Sequence, residues 1–97
     1  MTSLKRLEAW YRKACDGIWE HSYGVTIETL DNPGWRVQID LAGTSYQKRG
    51  PREIDVERSD GDWMRCRIEG EKFEGVGDPE KLEQILQVFA EWLDLTK

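Results

Sequence analysis

Trp35, Val37, Ile39 and Leu41 are apolar at every second position, with Arg36, Gln38 and Asp40 between them. That two-residue period belongs to a strand with one face buried and the other in water. Val25 and Ile27 begin the same alternation upstream. The intervening Asn32-Pro33-Gly34-Trp35 fits a type II turn, with proline presetting φ and glycine accepting a positive value. The two runs constrain each other, because residues directly opposite in an antiparallel pair share a face and their numbers must sum to an even value. A four-residue loop, Asp31 to Gly34, would set Glu28 beside Val37. An odd-length loop or a bulge is therefore expected here.

A second hairpin follows from the same logic. Ile54 and Val56 alternate in the run Glu53–Arg58, and Met64, Cys66 and Ile68 alternate in Trp63–Glu69, with Asp60-Gly61 between them. A two-residue Asp-Gly turn would pair Val56 with Arg65. A three-residue loop, Asp60 to Asp62, pairs Val56 with Cys66 and Ile54 with Ile68, and on the other face Glu57 with Arg65 and Asp55 with Arg67. Both faces then agree, so the three-residue loop is favoured. Phe73 falls on a short fifth strand or on a return loop through Gly75 and Gly77.

Helices flank these strands. Ser3 is placed to cap a first helix running to about Cys15, with Leu4, Leu7, Trp10 or Tyr11, and Ala14 on one side and Lys5, Arg6, Arg12 and Lys13 on the other. Asp16-Gly17 ends it, with glycine suited to a left-handed cap. Asp78-Pro79-Glu80 opens a second helix, with Asp as cap and Pro at the first helical position. Leu82, Ile85, Leu86, Phe89, Trp92 and Leu93 form its apolar stripe. The fold class is α+β: a four- or five-stranded antiparallel sheet with the N- and C-terminal helices packed on one face. The other face is left to water and carries Thr26, Glu28, Arg36, Gln38, Asp40, Asp55, Glu57, Trp63, Arg65 and Arg67. The polar connection from Ala42 to Arg52, with Gly43, Gly50 and Pro51, reads as a mobile loop.

Ninety-seven residues fit one domain, 1–97, with one core and no room for a large enclosed active site. The net charge of −5 comes without a basic stripe, which argues against nucleic acid as a partner. An acidic body suits a basic protein partner, or simply solubility. Cys15 and Cys66 are the only cysteines and lie far apart. The start MTSLKRLEAWYRK is amphipathic and does not read as a signal peptide. No run is long enough for a membrane span. A cytoplasmic protein with two reduced thiols is expected.

Few residues offer chemistry. His21 beside Glu20 is the first candidate for acid–base work, since histidine titrates near neutrality. Neighbours on an extended segment point apart, however, so Glu20 is badly placed to orient it, and a structural or interface histidine is the simpler reading. Cys66 falls on the core face, where a thiol is inert. Cys15 falls at a helix C-terminus, whose dipole disfavours the thiolate. Cys15, His21 and Cys66 have no zinc spacing, and the glycines of GEKFEGVG lack the ending of a phosphate loop. No cofactor or metal is implied. Glu28, Asp40, Asp55 and Glu57 make either an anionic binding face or an ordinary solvated one. Trp63 is turned outward by the register that buries Met64 and Cys66. It is either an interface anchor or a ring folded over the hairpin edge or under the Gly43–Pro51 loop.

Longer strings carry a family resemblance. They are Trp10-Tyr11, Cys15-Asp16-Gly17, Trp19-Glu20-His21-Ser22-Tyr23-Gly24, and Thr29-Leu30-Asp31-Asn32-Pro33-Gly34-Trp35. Ile39-Asp40-Leu41, Gly43-Thr44, Asp62-Trp63, Cys66, Phe73, Gly75, Gly77, Pro79, Leu82, Ile85-Leu86, Phe89 and Trp92 extend them. In these the chain resembles the immunity protein 53 family of bacterial polymorphic toxin systems. The resemblance implies a cytosolic protein that binds a cognate toxin domain and blocks it, with no catalysis and no cofactor. It brings no assigned toxin-contact residues with it. The expected contact is the open sheet face, with Trp63, Glu28 and Asp40, extended by the edge that holds Glu20, His21 and Tyr23. Two other readings compete: an adaptor or regulatory domain that pairs through a sheet edge, and a small enzyme using His21 or a cysteine. An enzyme should show a pocket gathering His21 with another polar group. Self-association is left open by the sequence.

Overall fold

The structure is a computed structural model that describes residues 2–48 and 51–95. The elements run α1 (Ser3–Ala14), a 3₁₀ turn (Trp19–His21), β1 (Val25–Leu30), β2 (Gly34–Asp40), β3 (Arg52–Ser59), β4 (Asp62–Glu69), β5 (Lys72–Gly77) and α2 (Leu82–Trp92). The strands form one antiparallel sheet in the order β1-β2-β5-β4-β3. The Phe73 segment is thus a strand, and the central one. After β2 the chain crosses to the far edge as β3 and works back, so that β5 closes the gap between the two hairpins. Burial explains the placing. Phe73 sits between Ile39 and Ile68 in one cross-strand row, and all three are buried.

Both helices cover the face that carries Val37, Ile39, Cys66, Ile68 and Phe73. Helix α2 lies directly on β5 and β4, and α1 packs against α2. Aromatic rings tie the layers together. Trp10 meets Trp19 at 5.8 Å and Phe89 at 5.3 Å, and Phe73 meets Phe89 at 5.2 Å and Trp92 at 5.8 Å, all edge-on. Each such pair adds about 0.5–1.5 kcal/mol beyond its burial. The close seating of α2 depends on missing side chains. A Cβ on Gly75 would collide with Cγ2 of Ile85, and one on Gly77 would lie 2.8 Å from Cβ of Lys81.

The first hairpin has the odd-length loop that alternation requires. Val25 pairs with Ile39, Ile27 with Val37 and Leu30 with Gly34, leaving Asp31, Asn32 and Pro33 in the loop. The type II turn over Asn32–Trp35 is not what forms. Gly34 already belongs to β2, and its φ is not positive. It is glycine for another reason: a Cβ there would strike the carbonyl oxygen of Gly77.

The second hairpin differs from expectation by two positions. Val56 pairs with Met64, Ile54 with Cys66 and Asp55 with Arg65. The turn is the two-residue Asp60-Gly61, closed by Ser59 opposite Asp62, and the register shifts between Glu57 and Ser59. That bulge absorbs the one residue that made the short turn look impossible. The faces are as expected. Of the expected ion pairs, Glu57–Arg65 and Asp55–Arg67 give way to Asp55–Arg65 at 3.2 Å.

The helix starts also move. Thr2, not Ser3, caps α1: its Oγ1 accepts the N–H of Lys5 at 3.1 Å, and Ser3 is buried in the first turn. Leu7 and Trp10 form the underside of α1, whereas Leu4 and Tyr11 are exposed. Helix α2 begins at Leu82, after a turn through Asp78-Pro79-Glu80 in which Lys81 N–H donates to the Asp78 carbonyl. Asp78 caps that turn rather than the helix proper: its Oδ1 accepts the Glu80 N–H at 2.8 Å, while its Oδ2 is taken by Lys81, described below. The first part of the Ala42–Arg52 connection is hydrogen-bonded: Thr44 N–H and Oγ1–H both donate to the Leu41 carbonyl, and Gly43 N–H donates to Oε1 of Gln47. Arg49 and Gly50 of that expected mobile loop lie outside the described residues.

Candidate functional site

Strand alternation puts Glu28, Arg36, Gln38, Glu74, Arg65, Arg67 and Asp55 on the face that no helix covers. Their charges are wired across the strands. Arg36 donates to Glu28 at 2.8 Å and to Glu74 at 3.0 Å, and Arg67 donates to Glu74 at 3.4 Å and pairs with Glu69 at 3.3 Å. The Glu28 hydrogen bond and then that of Glu74 hold the Arg36 guanidinium above its ordinary pKa. Half-exposed pairs of this kind each contribute only about 0–1 kcal/mol. Their larger effect is to fix where each charge sits.

Glu20 and His21 lie in the 3₁₀ turn that follows α1, Tyr23 just after it, and Asp40 ends β2 on the open face. Asp16 Oδ1 accepts the N–H groups of Ile18 and Trp19, both at 2.9 Å, and Glu20 in return accepts those of Asp16 at 3.0 Å and Gly17 at 2.9 Å. The Trp19 N–H bond, followed by that of Ile18, holds the Asp16 carboxyl below its usual range. Glu20 therefore closes the loop and is not free to orient His21. Asp40 Oδ2 accepts the Gly24 N–H at 2.9 Å, which fastens this loop to the end of β2. His21 is exposed, and Tyr23 lies tilted against Trp19 at 6.2 Å. The Trp19 indole in turn donates to the Ala42 carbonyl at 2.8 Å.

Trp63 and Asp40 stand far apart on the open face. Asp40 lies in the cross-strand row of Lys72 and Glu69, whereas Trp63 is one step beyond the row of Met64 and Gly77. At ~3.3 Å per residue the two are separated by about 20 Å along the strands. Trp63 faces the open side but is half-buried. Its N–H donates to Oδ2 of Asp78 at 2.9 Å, and its carbonyl accepts the Asp78 N–H at 3.1 Å.

Asp78 and its partners are what the sequence reading missed. Lys81 Nζ donates to Asp78 Oδ2 at 2.7 Å and to Asp62 Oδ1 at 2.8 Å, with Asp78 and Lys81 both buried. Lys81, with the Glu80 and Trp63 N–H groups, holds the Asp78 carboxyl down at about 2. Asp62 and Asp78 raise the lysine in return. In sequence Asp-Pro-Glu-Lys looks like a helix start, and nothing in it shows that Asp62 lies alongside.

A cleft of about 640 Å³ runs between α1 and the Gly43–Tyr46 segment, lined by Arg6, Trp10, Lys13, Asp16, Thr44 and Leu95 among others. His21, Cys15 and Cys66 do not line it. Burial pushes the Cys66 thiol up to about 12, so it carries no thiolate at neutral pH. Among the described residues no group of three His, Cys, Asp or Glu side chains is placed to hold a metal ion, and no helix is long and apolar enough to cross a membrane.

The fold and its surface thus define a small α+β domain whose sheet offers one face, away from both helices, with ion pairs running across its strands. The chain belongs to the immunity protein 53 family, whose model matches residues 4–94. No curated protein and no solved structure matches it.

Proposed function

We propose that the protein binds a cognate bacterial toxin domain in the cytoplasm and neutralises it by steric occlusion. Membership of an immunity-protein family over nearly the whole chain carries this reading. The open sheet face supports it physically. Arg36 and Arg67 are already held by carboxylates, so little side-chain order remains to be lost when a partner docks. The excess of acid over base in the chain would steer a basic toxin towards it.

The contact is proposed to use Trp63, Glu28 and Asp40 on that face, with Glu20, His21 and Tyr23 along its rim. Five strands ~4.8 Å apart and rows spanning ~20 Å make a patch of roughly 400–500 Å² in plan. A standard interface takes about 800 Å² from each partner, so the rim is needed to complete it. The test is calorimetry with the toxin domain encoded beside this protein, repeated with Trp63→Ala, Glu28→Lys and Tyr23→Ala. Tight one-to-one binding that abolishes toxin activity and weakens at least about tenfold in these variants is expected. Binding within twofold of the parent in all three, with the fold intact, would place the contact elsewhere. No binding at all would reject the immunity reading for that pair.

A further inference from the structure

The sheet has two edges, β1 and β3, and they are built differently. β3 carries Arg52, Glu53, Asp55, Glu57 and Arg58, and its register breaks between Glu57 and Ser59. Charges and a bulge are the usual protection of an edge against pairing. Any two-fold pairing of β3 with itself sets like charges opposite: Asp55 on Asp55, or Glu53 on Asp55, or Asp55 on Glu57. β1 reads Val25-Thr26-Ile27-Glu28-Thr29-Leu30, with no lysine, proline or bulge. Its one charge, Glu28, is already taken by Arg36 at 2.8 Å.

We propose that the protein forms a two-fold symmetric dimer by antiparallel pairing of β1 with β1 of a second copy, joining two five-stranded sheets into one. The backbone fixes the register. Asp40 N–H donates to the Gly24 carbonyl at 3.1 Å, so Gly24 and Asp40 are a hydrogen-bonded pair continuing the β1–β2 ladder. Such pairs alternate along an antiparallel ladder, which turns the N–H and C=O groups of Val25, Ile27 and Thr29 outward. A two-fold axis at Ile27 sets Ile27 opposite Ile27 and Val25 opposite Thr29. All three outward residues then find partners, in about six backbone hydrogen bonds. Moving the axis to Thr26 or Glu28 leaves one of the three without a counterpart. On the open face the same register sets Thr26 beside Glu28, with no like charges opposed.

The side chains agree with the backbone. Ile27 is on the helix-covered face yet 39% exposed, because the helix layer stops short of β1. In the segment just before β1, Ile18 is 76% and Tyr23 43% exposed, and Tyr23 and Tyr11 both lie on Trp19, with ring centroids 6.2 and 6.0 Å away. A second copy would cover Ile27 with its own Ile27. This pairing does not depend on any toxin and leaves Trp63 and the middle of the open face uncovered.

The test is sedimentation of the protein alone, from low micromolar to about 100 µM. The parent is expected at twice the chain mass. Ile27→Lys, which sets two ammonium groups against each other on the axis, should raise the dissociation constant at least about tenfold. Ile54→Lys, on the corresponding face of β3, should remain dimeric. Amide exchange at Val25, Ile27 and Thr29 should slow with concentration in the parent and not in Ile27→Lys. Should Ile27→Lys fail to fold, Thr29→Pro removes one outward N–H and is expected to weaken the dimer likewise. A monomeric parent at the highest concentration overturns the proposal, as it would if β1 serves only a strand of another protein. So does a dimer unaffected by the β1 substitutions, or one lost in Ile54→Lys.

Discussion

Gly75→Ala adds one methyl group at the point where α2 rests on the sheet. Its Cβ would collide with Cγ2 of Ile85 and lie 3.3 Å from the Cys66 sulfur, while Cβ of Ile85 at 3.5 Å is at ordinary contact. Ile85 and Cys66 are both fully buried, so neither can turn out to solvent. Overpacking by a methyl group costs about 1–3 kcal/mol, and removing glycine's freedom from the unfolded chain returns about 0.4–1 kcal/mol. The expected net loss is about 1–2 kcal/mol, which for a domain of this length lowers Tm by roughly 5–15 °C. Urea unfolding followed by tryptophan fluorescence reads it as a lower midpoint at unchanged slope. The argument names one atom, and that makes it checkable. Ile85→Leu moves the branch away from Cβ, removing Cγ2 while keeping the volume, and should cost under about 1.5 kcal/mol alone. Combined with Gly75→Ala it should give a double variant more stable than the two separate losses imply, by about 0.5–3 kcal/mol of coupling. A Gly75→Ala protein as stable as the parent, or strictly additive losses, would show that the bare glycine is not what lets α2 sit down.

Two further expectations follow from the buried groups. The Asp78 carboxyl is depressed to about 2 by Lys81, so its contribution is complete above the ordinary carboxylate range and is lost as pH falls from about 4 through about 2; acid unfolding of Asp78→Asn should lack that segment of the titration, and an unchanged acid limb would mean the pair is idle. Cys66 is fully buried with its thiol pushed up to about 12, whereas Cys15 is half-exposed; a thiol reagent at neutral pH should therefore label Cys15 alone until denaturant is added, and early labelling at Cys66 would contradict the packed core.

Much of this fold was legible because period-two alternation is read one strand at a time. Val37 and Ile39, or Cys66 and Ile68, declare their buried face without reference to any partner, and the even-sum rule then forced the odd loop of the first hairpin. The same rule misjudged the second hairpin because a bulge changes parity while leaving no mark in the letters near Arg58. Phe73 is the one large apolar residue on the buried face of its segment, ahead of two glycines, which in sequence is a weak strand signal. That it fills the middle of the sheet is a property of its neighbours Ile39 and Ile68, which come from both hairpins at once. The candidate site divides in the same way. Glu28 and Asp40 fall on the expected face because alternation places them there. Glu20 and Trp63 are held by Asp16, Gly17 and Asp78 through backbone groups that side-chain patterns do not reveal. Nor does a sequence say how far a helix layer extends sideways, and that distance is what leaves Ile27 half uncovered.

Trp63 and Asp78 are joined by two hydrogen bonds at the main chain, and Asp78 grips Lys81 just before α2 begins. The Trp63 backbone, at one end of the open face, is in this way tied to the turn that leads into a helix on the opposite side of the sheet. The tie between the two sides of the sheet runs through the Asp78 carboxylate, and it weakens in acid as that carboxylate takes up a proton.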